Sequence, residues 1–187
     1  WYADTNLKAF DLKPDHKILI YGASGAIGTS AVQLAKAYGA NVTAVTSTPH
    51  LELVRNLGAS NVIDYTAEDF TKIDERFDFI LDAVGKTTFG RCKKLLEPSG
   101  VFAATDLGPA WQNIFLALWS SLTGSGRVLI PMPHSSRALV QSMKQRIEAG
   151  EFRAVIDREY SLENIANAYR YVETEQKVGI VVINVTG

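Results

Sequence analysis

The run KILIY at residues 17–21 passes without a break into GASGAIG at 22–28, and TSAVQLAKAYGA follows with the apolar spacing of a helix. A strand that ends in a glycine-rich turn and restarts at once as a helix brings free helix amides to the strand's carboxyl end. The positive end of the helix dipole lies there too, so the loop is suited to a phosphate. Gly25 is read as the residue that turns the backbone and lets it approach a pyrophosphate, and Gly28 as the one that lets the helix pack on the strand. The amides of Ala26 and Ile27 face the phosphates, and Ser24 adds a hydroxyl donor. The loop departs from the spaced-glycine pattern GxGxxG, because Ala23 stands at its first glycine and Gly22 lies one residue earlier. Glycines placed for packing alone are the competing reading, and the strand before and helix after weigh against it.

From Lys17 onward, short β-branched runs alternate with longer stretches of helical period. Strands are expected at 17–21, 41–46, 61–63, 77–81, 100–104 and 127–130, with helices at 26–38, 50–57, 87–96 and 112–122. The strands are apolar throughout instead of alternating, as in a parallel sheet covered on both faces. The expectation is an α/β fold of Rossmann type, a doubly wound parallel six-stranded sheet with a C-terminal helix and strand appendage. After PMPHSSR at 131–137 come a helix at 138–149, an extended piece at 153–158, a helix capped by Ser161 and a strand at 177–185. The domain division expected is 1–13 as a linker remnant, 14–134 as the dinucleotide-binding domain and 135–187 as a C-terminal segment.

About twenty residues past the glycine loop, an NAD-preferring protein places Asp or Glu on the adenosine ribose. Here the second strand ends in Val45, Thr46, Ser47, Thr48, Pro49 and His50, and the first acid is Glu52. Without a carboxylate nothing repels a 2′-phosphate, Ser47 and Thr48 can donate to it, and His50 or Arg55 can supply charge. NADPH is therefore favoured over NADH. Ser47 and Thr48 can equally serve as caps of the next helix, and the two roles are compatible.

Composition narrows the class of partner. Nineteen basic residues face 20 acidic ones, divided 11 to 12 up to Gly100 and 8 to 8 after it, so no half forms a basic patch for nucleic acid. The longest apolar run, 114–119, falls well short of the ~18 residues of a spanning helix. The surrounding stretch 107–126 carries no charge, and a buried helix or one covered by a partner is expected there. A single cysteine, Cys92, fits a reducing, cytoplasmic setting. A chain that starts at Trp1 reads as part of a longer polypeptide.

Several segments, in order, resemble one family: KILIYGASGAIGTSAVQLAKAYGANVTAV, LVRNLGASNVIDYTAEDF, FDFILDAVG, FGRCKKLLEPSGVF and VIDREYSLENIANAYRYVETEQKVGIVVINV. They are similar to the C-terminal part of medium-chain dehydrogenase/reductases, and most to the NADPH-dependent, quinone oxidoreductase-like branch. The resemblance implies that Ser24, Ala26 and Ile27 belong to the pyrophosphate loop and that Ser47 meets the 2′-phosphate. It also implies that Tyr65 lies against the same end of the cofactor and that Ala83 and Val84 flank its ribose. Pro49 and His50 stand where many relatives carry a basic residue. The family's catalytic domain is formed by preceding sequence and closed by the C-terminal tail, so the resemblance makes residues 4–10 the remnant of a linking helix.

The activity implied is hydride transfer between NADPH and a small quinone, enone, aldehyde or alcohol, with the isolated chain inactive. No catalytic residue is assigned. Cys92, His16, His50 and His134 are too scattered for a metal site. Cys92 in GRCKKLL is either packed or made reactive by its basic neighbours. A short-chain reductase, suggested by GASGAIG, needs lysine four residues after a tyrosine; Asn6, Gly25, Val42, Asp69, Asn164, Glu173 and Glu175 stand at those positions. A non-catalytic NADPH-binding sensor or adaptor remains a rival. Strand 126–131 is expected at a sheet edge, where relatives pair with a second copy, so a homodimer is expected.

Overall fold

A computed structural model describes residues 1–106, 116, 127–131 and 136–185. The helix expected at 112–122 and the surroundings of His134 lie outside these residues, apart from Leu116. Six parallel strands form one sheet: β1 (Lys17–Tyr21), β2 (Asn41–Thr46), β3 (Asn61–Asp64), β4 (Phe77–Asp82), β5 (Leu96–Ala104) and β6 (Arg127–Leu129). Their order is β3-β2-β1-β4-β5-β6, so the chain runs outward one way from β1 and then crosses back to β4. This is the doubly wound arrangement expected, with the reversal between β1 and β4 opening a crevice at the strands' carboxyl ends.

Alternation along the strands divides the core in two. Ile18 and Ile20 of β1, Val42 and Ala44 of β2, and Leu81 of β4 face one side, with Val32, Leu34 and Ala35 of helix α2 (Ala26–Ala37). Leu19, Val45, Ile80 and Phe102 face the other, with Phe70, Phe77 and Leu95. Each fully buried large side chain contributes about 1.5–3 kcal/mol of transfer free energy. Cys92 is fully buried in this second cluster.

Helix α1 (Tyr2–Ala9) occupies the stretch expected as the remnant of a linking helix. Ala3, Leu7 and Phe10 are buried, Phe10 stacks on Phe79 at 4.8 Å, and buried Asp4 receives Lys8 at 2.7 Å and the Tyr38 hydroxyl at 3.2 Å. Apolar residues at i and i+4 thus make α1 part of the sheet's covering layer. The helix expected at 87–96 shrinks to α4 (Phe89–Cys92) and a 3₁₀ turn at Lys93–Leu95. Leu96 already pairs with Phe77 in the ladder, and Pro98 keeps Glu97 out of helical backbone. Helix α3 (Leu51–Leu57) follows a 3₁₀ turn at Thr48–His50 and ends at Gly58, φ +113°.

The C-terminal segment holds α5 (Arg137–Glu148), β7 (Ile156–Ser161), α6 (Ile165–Glu173) and β8 (Ile180–Asn184). Ser136 caps α5 by accepting from Leu139 N at 3.2 Å. Ser161, expected as a helix cap, instead accepts from the Asn164 amide at 3.1 Å and precedes a 3₁₀ turn. Strands β7 and β8 pair in parallel. The Tyr171 hydroxyl and Val178 N both donate to Asp157 Oδ2, at 2.7 and 3.0 Å, which ties α6 to the turn that follows it. Two contacts fasten this segment to the main sheet's layer. The Gln33 side chain bonds both N and O of Arg153, and Gly179 N donates to Ser24 O at 2.8 Å.

No described helix is long and apolar enough to cross a membrane.

Candidate functional site

A cleft of about 340 Å³ lies at the carboxyl ends of β1, β2 and β4. Its floor is the glycine loop and its far wall is the C-terminal segment. Four of the expected residues of the loop, Ser24, Gly25, Ala26 and Ile27, line it, as do Tyr65, Ala83 and Val84. Gly28, Ser47, Thr48 and His50 do not.

The loop's geometry follows from its glycines. Gly22 has φ +76°, the left-handed region that a side chain resists, so the turn out of β1 is made there. Gly25, expected to make that turn, is extended at φ −75° and ψ 177°, and a Cβ on it would meet nothing closer than 3.5 Å. Its place as N-cap of α2 without a side-chain cap leaves the first amides of the helix, those of Ala26, Ile27 and Gly28, facing the cleft end. Gly28 is where close packing occurs: a Cβ would fall 2.2 Å from Gly22 O and 2.7 Å from Ala23 Cα. These amides, together with the positive end of the helix dipole, fit a pyrophosphate.

Asp82, at the end of β4, shapes the opposite rim. It is fully buried, and its carboxylate accepts from the backbone N–H of Val84 at 3.1 Å, Gly85 at 2.9 Å and Thr87 at 2.8 Å. Burial raises its pKa, while these amide bonds hold it down. The effect is to lock the loop that sets Ala83 and Val84 against Gly22. Sequence reading missed Asp82, since an acid ending an apolar strand is legible but the loop folding back on it is not.

At the β2 end the residues separate. Thr46 lines the cleft and is buried, and its hydroxyl has no hydrogen-bond partner among the described residues. Ser47 caps the 3₁₀ turn, and its carbonyl accepts from His50 N at 3.0 Å. The Thr48 hydroxyl is turned to Asp64, which also receives the Thr66 hydroxyl at 2.6 Å and Thr66 N at 2.9 Å. These bonds, Thr48's first, hold the Asp64 carboxyl below its usual pKa. A carboxylate from β3 thus sits beside the end of β2, which spacing along β2 alone did not reveal.

Further lining comes from Lys86, Val172, Glu175 and Lys177. Lys86 pairs with Glu175, joining the loop after β4 to the turn after α6 across the mouth of the cleft. Lys177 Nζ donates to Gly179 O at 3.0 Å, beside the Gly179–Ser24 bond. Gly179 has φ +64°, and a Cβ would fall 2.1 Å from Val155 O, so the segment can lie this close only with glycine there. These lysines escaped sequence reading because they lie 60 to 150 residues from the loop they approach.

Cys92 is packed: burial pushes its thiol up to about 11, outweighing the influence of Arg91. Among the described residues no three His, Cys, Asp or Glu side chains gather as a metal site.

The family profile described as zinc-binding dehydrogenase matches residues 57–183. An NAD(P)H oxidoreductase of Danio rerio, RTN4IP1, mitochondrial, is 33% identical over 90% of this chain and 49% of its own length. An Arabidopsis thaliana NADPH-dependent alkenal/one oxidoreductase, chloroplastic, is 30% identical over 97% of this chain and 44% of its own. The chain thus spans about half the length of these relatives. Among solved structures, the quinone oxidoreductase from Coxiella burnetii superposes with TM-score 0.88 at 23% identity, over 98% of this chain and 57% of that one. The described residues offer no ligand set for the zinc in the family's name. With the profile covering well over half of the chain, from the end of α3 into β8, the chain belongs to the zinc-binding dehydrogenase family of the medium-chain dehydrogenase/reductase superfamily.

Proposed function

We propose that this chain is the dinucleotide-binding part of an oxidoreductase working between NADPH and a small quinone, enone, aldehyde or alcohol. A catalytic domain elsewhere in the polypeptide completes the enzyme. The observation that carries this reading is the uncapped amino end of α2 opening into a cleft at the sheet's switch point. The dinucleotide supplies the hydride chemistry at its nicotinamide ring. The chain's residues bind and orient. Amides of Ala26 and Ile27 hold the pyrophosphate, and Tyr65 covers the adenosine end. Ala83 and Val84, fixed by Asp82, wall the nicotinamide ribose. The C-terminal segment shields the bound molecule from water on the side of Val172.

NADPH is the preferred form. Ser47 and His50 lie next to the cleft at the end of β2, no carboxylate stands on β2 itself, and Asp64 is satisfied by threonine hydroxyls. The position of β6 at the end of the strand order among the described residues supports a homodimer built across it.

Fluorescence titration of the chain with NADPH and NADH tests the cofactor. Binding of both, tighter for NADPH, is expected; NADH binding as tight as NADPH overturns the preference. Oxidation of NADPH by the full-length protein with quinones, enones and aldehydes tests the activity. Binding without turnover on any of them would replace it by a sensor or adaptor role.

A further inference from the structure

We infer that Lys86 and Glu175 form an ion-pair strap across the cleft mouth that sets how fast the bound dinucleotide is exchanged. The inference rests on the dinucleotide reading above and adds to it a control on entry and release. Both side chains line the cleft and meet across it, one from the loop after β4 and the other from the turn after α6.

The place of Glu175 is the first observation. It follows Thr174, the C-cap of α6, and has φ +59°, left-handed backbone that glycine adopts without strain at this position and a longer side chain resists. An acid here also stands at the negative end of the helix dipole. Among the described residues it is the only acid lining a cleft whose floor suits phosphate. Local backbone, helix end and ligand charge all disfavour a glutamate, and the contact it makes in return is with Lys86.

The anchoring of the two rims is the second. Gly85 N and Thr87 N, on either side of Lys86, both donate to Asp82, at 2.9 and 2.8 Å. On the other rim Val178 N donates to Asp157, as does the Tyr171 hydroxyl, and this holds the turn that carries Glu175. The backbone is thus fixed on both sides, while the paired side chains are 57% and 67% accessible. The moving part is the pair itself: two long side chains rotate apart, the mouth opens, and they meet again over the bound molecule. An exposed pair of this kind is weak enough to open often and strong enough to slow exchange a few-fold.

Stopped-flow fluorescence, with the NADPH-loaded chain chased by excess NADP+, measures release. On charge alone, Glu175→Gln removes an acid near the phosphates and slows release. The strap predicts the reverse, release about threefold faster with association faster too. Glu175→Gly should release as fast, with a cofactor-free melting temperature level or higher because the left-handed strain is gone. Exchanging the charges, Lys86→Glu with Glu175→Lys, should return the rate towards wild type. Release that is unchanged or slower in both Glu175 variants overturns the strap. So does a melting temperature that falls with release unchanged, the mark of a purely structural pair. Wild-type chain that binds neither NADPH nor NADH overturns the dinucleotide reading itself, and the strap falls with it.

Discussion

Among single residues, Cys92 and Asp82 show how burial reverses what neighbours in sequence suggest. Cys92 stands beside Arg91, Lys93 and Lys94, a setting that lowers a thiol's pKa when the groups meet in space. The lysines point away into solvent while the sulfur enters the core, so desolvation dominates and the thiol moves up to about 11. The folded state then holds the proton more tightly than the unfolded chain does. The associated stability is complete below the ordinary thiol value of 9.0 and is lost as pH rises through about 11. Native protein should therefore resist Ellman's reagent at pH 8 and release one thiol only on unfolding. Rapid labelling of the native chain at that pH would contradict the packed geometry. Asp82 is likewise pushed up by burial, and three backbone amides of the following loop, donating to its oxygens, offset part of that rise.

At the scale of elements, the contact between β1 and α2 decides whether the site exists. Gly28 brings the first turn of α2 against the backbone of Gly22 and Ala23, and this contact aims the amides of Ala26 and Ile27 at the cleft. Gly28→Ala places a carbon 2.2 Å from a carbonyl oxygen, so the helix must back away. The expected cost is about 1–3 kcal/mol in a urea melt, together with a marked loss of NADPH affinity by fluorescence titration. Unchanged affinity would mean that the amides do not hold the pyrophosphate. Gly25 lacks any such contact, so its glycine matters for open approach and not for backbone strain.

Across the whole molecule, apolar surface is distributed unevenly. The six-stranded sheet is covered on both faces, whereas the C-terminal segment exposes Ile156, Leu162, Ile165, Tyr169 and Val185, with Tyr169 64% and Val185 72% accessible. Exposed apolar side chains of this kind suit association, so the proposed pairing across the β6 edge is tested against association through this segment. Light scattering should give twice the chain mass, and Tyr169→Arg should leave that mass unchanged if copies join at β6. A monomer in the wild type overturns the edge pairing, and a fall to monomer in the variant assigns association to the C-terminal face.

The six parallel strands, their doubly wound class and the glycine loop are legible in the sequence because they depend on local signals: apolar runs of strand length, helical spacing and a turn of glycines next to them. The linear reading went wrong where a distant contact overrides such signals. Leu96 leaves the expected helix to pair with Phe77. The candidate site was half legible for the same reason. Ser24, Gly25, Ala26 and Ile27 follow from one continuous stretch, and Tyr65, Ala83 and Val84 came only through resemblance. What tertiary structure alone decided was which of the three consecutive polar residues after Val45 lines the cleft, and that a segment about 150 residues downstream of the loop closes over it. Chain direction at the end of a strand, and the docking of Gly179 on Ser24, are set by packing between elements far apart in sequence, which no local pattern encodes.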